Sequence, residues 1–222
     1  MNDDLLESID GGIATLTLNR PAARNALTPK MMTGLRESLP RLAADTTVRV
    51  VVLTGAGNAF CAGGDVKRFA EASDSDPSAK TFDEKVHDLR SRMEVSRVLH
   101  EMPKPTLAVI PGAAAGAGLS LALACDLRIA VDSAKLTTAF SRIGLSCSFG
   151  LCYFITFLLC SAMARSLYFT VQLLSRRASH DLGFLNPVFT SYPFPVPPPH
   201  SPPVPPSPLL HSIPPLTSFP PS

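Results

Sequence analysis

Two stretches of this chain place small residues where backbone amides can reach a ligand. In residues 106–126 (TLAVIPGAAAGAGLSLALACD) an apolar, β-prone run breaks at Pro111-Gly112 and resumes at Leu119 as a second apolar run. That pattern predicts a strand, a tight turn and a buried helix over residues 119–124. Gly116, Ala117 and Gly118 let a ligand approach the main chain, and the first amides of a helix have no partner within it, so they can hold negative charge. The ligand inferred is an oxyanion. A crossover of alanine and glycine can also be purely structural, and a dinucleotide site would want G-x-G-x-x-G where this chain has G-x-x-x-G-x-G. The oxyanion reading therefore needs a second donor.

Residues 60–65 (FCAGGD) supply one. They follow residues 48–53 (VRVVVL), a continuous apolar run typical of a strand buried on both faces. The plain alternative is a loop in which Asp65 caps the next helix.

The remaining elements must position these turns. Residues 12–19 (GIATLTLN) read as a strand ended by Arg20-Pro21, and Thr28 followed by Pro29 predicts a helix start, with the helix running to about Ala44. Residues 71–80 read as a mobile polar loop. Val86, Leu89, Met93, Val98 and Leu99 recur at helical spacing within residues 82–102, and residues 127–131 form a further short strand. Buried parallel strands joined by helices predict an α/β fold.

The 222 residues can bury one sizeable core. Residues 1–132 hold 15 Lys+Arg against 17 Asp+Glu, and residues 133–222 hold 5 against 1. Neither part is basic enough for nucleic acid. Five cysteines (Cys61, Cys125, Cys147, Cys152, Cys160) match no metal spacing, so no metal site is expected. The Met-Asn-Asp-Asp start lacks the charge and apolar run of a signal peptide, which makes a reducing cytoplasm the expected compartment.

Residues 20–27 (RPAARNAL), 60–65 and 110–126, in this order and spacing, resemble the enoyl-CoA hydratase/isomerase (crotonase) superfamily. The resemblance spans residues 12–146, weakens over 147–188 and is absent from 189–222. It implies an α/β, crotonase-like ββα spiral core in a domain of residues 1–188, degenerate from about residue 147. It also implies binding of an acyl-CoA or enoyl-CoA thioester as substrate, with no separate cofactor. The amides of Gly64 and Ala117 would form the oxyanion hole, which stabilises an enolate oxygen best in a site closed to water. Ala117 stands where the family often has glycine, which is tolerable if the position needs no positive φ. Ala22, Arg24, Ala26, Ala62, Gly63, Gly64, Asp65, Val66, Gly116 and Ala117 would line the thioester. Arg24 would lie near the CoA phosphates or adenine, or else be a solvated surface charge.

The acid/base positions depart from the family pattern. Two glutamates of the hydratases correspond to Ser120 and Phe140, and the aspartate of the double-bond isomerases corresponds to Ser148. None of these side chains transfers a proton at neutral pH. The resemblance of residues 136–150 to the isomerase branch favours isomerisation over hydration, and a non-catalytic acyl-CoA-binding or interaction protein is the rival reading. Asp65 and Asp126 read as capping or structural residues. Cys147, Leu151, Cys160 and Val171 replace expected glycines, which predicts strained turns and tight helix contacts.

From Leu182 onward there is no Asp, Glu, Lys or Arg, and 15 of the 22 prolines lie at Pro187 or later. Residues 189–222 therefore read as a proline-rich disordered tail in place of the family's C-terminal helices, the product of a truncated or frameshifted gene being one origin. Without those helices the family's homotrimer is in doubt, and apolar surface around Phe154, Phe157, Leu158 and Leu159 is expected to lie uncovered. Residues 143–164 carry no charge and could span a bilayer, but Ser146, Ser148, Gly150, Thr156 and Ser161 favour a buried segment, so a membrane association is not expected.

Overall fold

A computed structural model describes residues 4–64 and 81–186. The proline-rich stretch, the polar loop of residues 71–80, Asp65 and Val66 lie outside the described residues.

The apolar runs become the strands of a five-stranded sheet in the order β1-β2-β3-β5-β7: β1 (Leu5–Asp10), β2 (Ile13–Leu18), β3 (Val50–Gly55), β5 (Thr106–Ile110) and β7 (Leu127–Ala130). β1 pairs antiparallel with β2, and the other neighbours are parallel. β3 and β5 fill the middle of the sheet with Val51, Leu53, Ala108 and Ile110, all buried.

Each central strand is followed at once by a short strand of a second sheet, ordered β4-β6-β8-β9: β4 (Ala59–Cys61), β6 (Ala113–Ala115), β8 (Lys135–Thr137) and β9 (Leu174–Ser175). The chain thus turns from β3 into β4, from β5 into β6 and from β7 into β8, the repeat of a ββα spiral. β4, β6 and β8 run parallel, and β9 closes the edge antiparallel to β8.

Helix α1 (Pro29–Ala44) starts where Thr28 and Pro29 predict, with the Thr28 hydroxyl accepting from the Met31 amide at 3.0 Å. It buries Met31, Met32, Leu35, Leu39 and Leu42. Helix α2 (Phe82–Glu101) opens on a capping box between Thr81 and Glu84. Its buried residues are Val95, Ser96 and Leu99, whereas Leu89, expected on the packed face, is exposed. Only the C-terminal half of α2 reaches the core. Helix α3 (Ala117–Ala124) is buried along its whole length and begins two residues before the predicted start, because the amide-rich turn is already its first turn.

The uncharged residues 143–164 hold the short helix α4 (Leu151–Leu159) and the start of a second, α5 (Ser161–Thr170), broken at Cys160, whose φ is 111°. No helix among the described residues is long and apolar enough to cross a membrane. Helix α6 (Arg176–Asp181) follows β9. Two of the four expected glycine positions bear out the predicted strain: Cys160 and Val171 both hold positive φ. The expectation of uncovered surface needs correcting at Phe154, which is buried because α4 packs on α3, while Phe157 is 71% exposed.

Candidate active site

β4 and β6 are parallel neighbours, with Ala59 opposite Ala113 and Cys61 opposite Ala114, so the turns that leave them lie side by side. The approach is close enough to exclude side chains. A Cβ on Gly63, where φ is +92°, would sit 2.9 Å from the Ala115 carbonyl oxygen and 3.4 Å from the Ala117 nitrogen. One on Gly118 would sit 2.4 Å from the Cys61 carbonyl oxygen. Small residues at these positions follow from backbone contact between the two turns.

This packing puts Gly64 and Ala117 on adjoining turns. Among the described residues neither amide has a protein acceptor. Ala117 is the first residue of α3, and the positive φ of the turn falls on Gly116 (51°), so alanine is accommodated. The helix start adds its partial positive charge at the same place.

The segment of residues 20–27 is stitched to the first turn. The Ala62 amide donates to the Arg24 carbonyl at 2.9 Å, and the Leu27 amide donates to the Gly63 carbonyl at 2.8 Å. Asn25 holds the segment in place. Its amide group donates to the Ala56 and Ala59 carbonyls at 2.9 and 2.8 Å, and its oxygen accepts from the Arg20 amide at 2.8 Å. Asn25 is fully buried and its φ is +56°, a conformation asparagine tolerates better than most residues. Nothing in the local sequence marks this anchoring role. Ala22 and Arg24 are exposed beside it, Arg24 at φ 48°, while Ala26 is buried with its carbonyl accepting from the Arg20 guanidinium at 3.0 Å.

The three acid/base positions also converge. Ser120 is fully buried on α3, and its hydroxyl lies 3.1 Å from the Gly116 carbonyl and 3.3 Å from that of Ser148. The Phe140 ring packs over Gly116, its Cζ 3.8 Å from where a Cβ would stand there. The structure thus gathers Gly63, Gly64, Gly116, Ala117, Ser120, Phe140 and Ser148 around two turns, and none of these seven residues carries a carboxylate. Asp126 is committed elsewhere: its Oδ2 accepts from the amide and hydroxyl of Thr106 at 2.8 and 2.9 Å, tying the end of α3 to the start of β5. That is the structural role expected of it.

Cysteine chemistry near the site is divided. Cys61 and Cys125 are buried, and desolvation pushes both thiols up to about 12, so they are inert at neutral pH. Cys147 and Cys152 form a disulfide, a pairing the sequence reading did not foresee.

Residues 8–192 match the family model for enoyl-CoA hydratase/isomerase. The chain belongs to the enoyl-CoA hydratase/isomerase family. It is 35% identical over 185 residues to 1,2-epoxyphenylacetyl-CoA isomerase of Escherichia coli, an alignment covering 83% of this chain and 69% of that protein. It is 36% identical to human enoyl-CoA hydratase domain-containing protein 2, mitochondrial, over 80% of this chain and 58% of that one. A crystal structure of an enoyl-CoA hydratase from Polaromonas superposes with a TM-score of 0.76 at 33% identity, covering 84% of this chain and 70% of that one. The family's crotonase-like fold is the one described above.

Proposed function

We propose that this enoyl-CoA hydratase/isomerase-family chain binds a CoA thioester and holds its carbonyl oxygen on the Gly64 and Ala117 amides, stabilising the enolate. The observation that carries this is the pair of adjoining turns, whose amides have no protein acceptor among the described residues and one of which opens a buried helix. Each such donor is worth about 3 kcal/mol of barrier when it meets charge that develops in the transition state. Ala22, Arg24, Ala26, Ala62 and Gly63 line the thioester, with exposed Arg24 toward the CoA phosphates.

Between the family's two reactions, isomerisation is favoured over hydration. Hydration needs water activated by a base and a proton returned by an acid, and Ser120 and Phe140 supply neither. The similarity to a protein named as an isomerase points the same way. A second reading is binding without turnover. It is favoured by Ser120, whose hydroxyl donates to the main-chain carbonyl of Ser148 where a proton-transfer group is wanted.

Calorimetric titration with CoA and acyl-CoA, run beside hydration and isomerisation assays on enoyl-CoA, tests these readings. Binding with isomerisation is the expected result. Binding alone selects the second reading, and no binding of either compound refutes both.

A further inference from the structure

The turn bearing Ser148 is closed by Cys147 and Cys152, whose Cα atoms are 6.0 Å apart, within the span a disulfide bridges. We infer that this pair is a reversible thiol–disulfide modification site that clamps the Ser148 turn, with small-molecule thiols and disulfides of the glutathione class as co-reactants. The inference is independent of the functional reading proposed above.

Accessibility separates this pair from two of the other cysteines. Cys152 is exposed on the first turn of α4 and Cys147 is half-buried, so a small thiol reaches the bond, whereas Cys61 and Cys125 are fully enclosed. Cys160 is exposed and unpaired. The clamped residues are the ones that need holding. Phe149 sits at φ 54° and Gly150 at φ 74°, and a phenylalanine in the left-handed region persists only where its surroundings fix it. The Ser148 carbonyl accepts from the Leu151 amide at 3.2 Å and from the Ser120 hydroxyl at 3.3 Å, so the turn is fastened to α4 and α3 through one oxygen.

The exchange is balanced in two steps. The exposed Cys152 thiolate attacks one sulfur of the small disulfide, whose S–S bond breaks and releases one thiolate. The Cys147 thiolate then attacks Cys152 sulfur in the mixed disulfide and expels the second thiolate. Two cysteine thiols are oxidised to one disulfide, and the small disulfide is reduced to two thiols that take up the two protons. Reduction by excess small thiol runs the same steps backward.

The full chain, equilibrated in reduced or oxidised glutathione, is acid-quenched, denatured and alkylated, and the labelled cysteines are identified by mass spectrometry. In oxidised glutathione Cys61 and Cys125 are expected to take the label, exposed Cys160 to carry glutathione, and Cys147 and Cys152 to be joined to each other and unlabelled; in reduced glutathione all five take the label. Hydrogen exchange of the peptide spanning residues 147–152 is expected to quicken roughly tenfold on reduction, corresponding to about 1.4 kcal/mol of lost protection. A Cys147→Ser, Cys152→Ser double variant should exchange at the fast rate in both buffers. Labelling of Cys147 and Cys152 in oxidised glutathione overturns the inference. So does exchange that stays unchanged between the two states. Neither readout depends on acyl-CoA, so a protein that passes both and binds no CoA refutes only the proposed function.

Discussion

The hydroxyl of Ser120 on α3 lies 3.3 Å from the carbonyl oxygen of Ser148 on the turn before α4. The bond runs from a side chain to the main chain, so the Ser148 hydroxyl takes no part in it.

The two serines respond differently to a restored carboxylate. Ser120 is fully enclosed and its hydroxyl meets the Gly116 and Ser148 carbonyls, so Ser120→Glu buries a charge against two acceptors and should lower stability by several kcal/mol, on the order of 3–5. Ser148 is half-buried, and Ser148→Asp should fold and raise isomerisation of an enoyl-CoA above the parent chain. Urea denaturation and a turnover assay on both variants check the pair.

Gly63→Ala forces a side chain into the left-handed region and against the Ala115 carbonyl. The backbone term alone should cost about 1–2 kcal/mol. Because the shift is transmitted to the Ala117 amide, acyl-CoA affinity should fall more than stability does. Calorimetry and denaturation on one preparation separate the two effects.

The elements most legible in the sequence were those with long local signals. The apolar residues 50–53 and 106–110 lie in central strands, and Thr28-Pro29 marks the start of α1. The short strands Ala59–Cys61 and Ala113–Ala115 carry little strand propensity; they are strands because they pair with each other. Leu5–Asp10 mixes charged and apolar residues and was missed, since only one end of this edge strand is buried. Asn25 left no signal because its acceptors, Ala56 and Ala59, are set beside it by tertiary structure. The small-residue turns were readable as an amide cradle, but their contact at Gly63 and Gly118 emerged only in the fold.

Asn25→Ala takes the amide group from the Ala56 and Ala59 carbonyls and the side-chain oxygen from the Arg20 amide. Each buried group left unsatisfied costs about 1–3 kcal/mol, so this change should be among the most damaging outside the apolar core. Thermal unfolding of the variant measures it.

Cys160 holds φ 111° at an exposed helix junction. Cys160→Gly should therefore stabilise the chain, by about 1 kcal/mol, through release of backbone strain. A lower midpoint in urea would contradict this.

Glu7 gives the pH dependence a sign. Partial burial raises its pKa, but hydrogen bonds from Arg41 and Ser38 outweigh that and hold it below its ordinary value. The stabilisation is present above the unfolded-state pKa of about 4.3 and is lost as pH falls through the lower folded value. Glu7→Gln should be less stable than the parent at pH 7 and should match it in strong acid. Denaturation midpoints across that range follow the convergence.

In the proposed function two backbone amides polarise a thioester carbonyl. Difference infrared spectroscopy of an acyl-CoA carrying a 13C label at that carbonyl reads it most directly. The carbonyl band should shift to lower frequency on binding, and by less in Gly63→Ala. A bound thioester whose carbonyl absorbs where it does in water would contradict it.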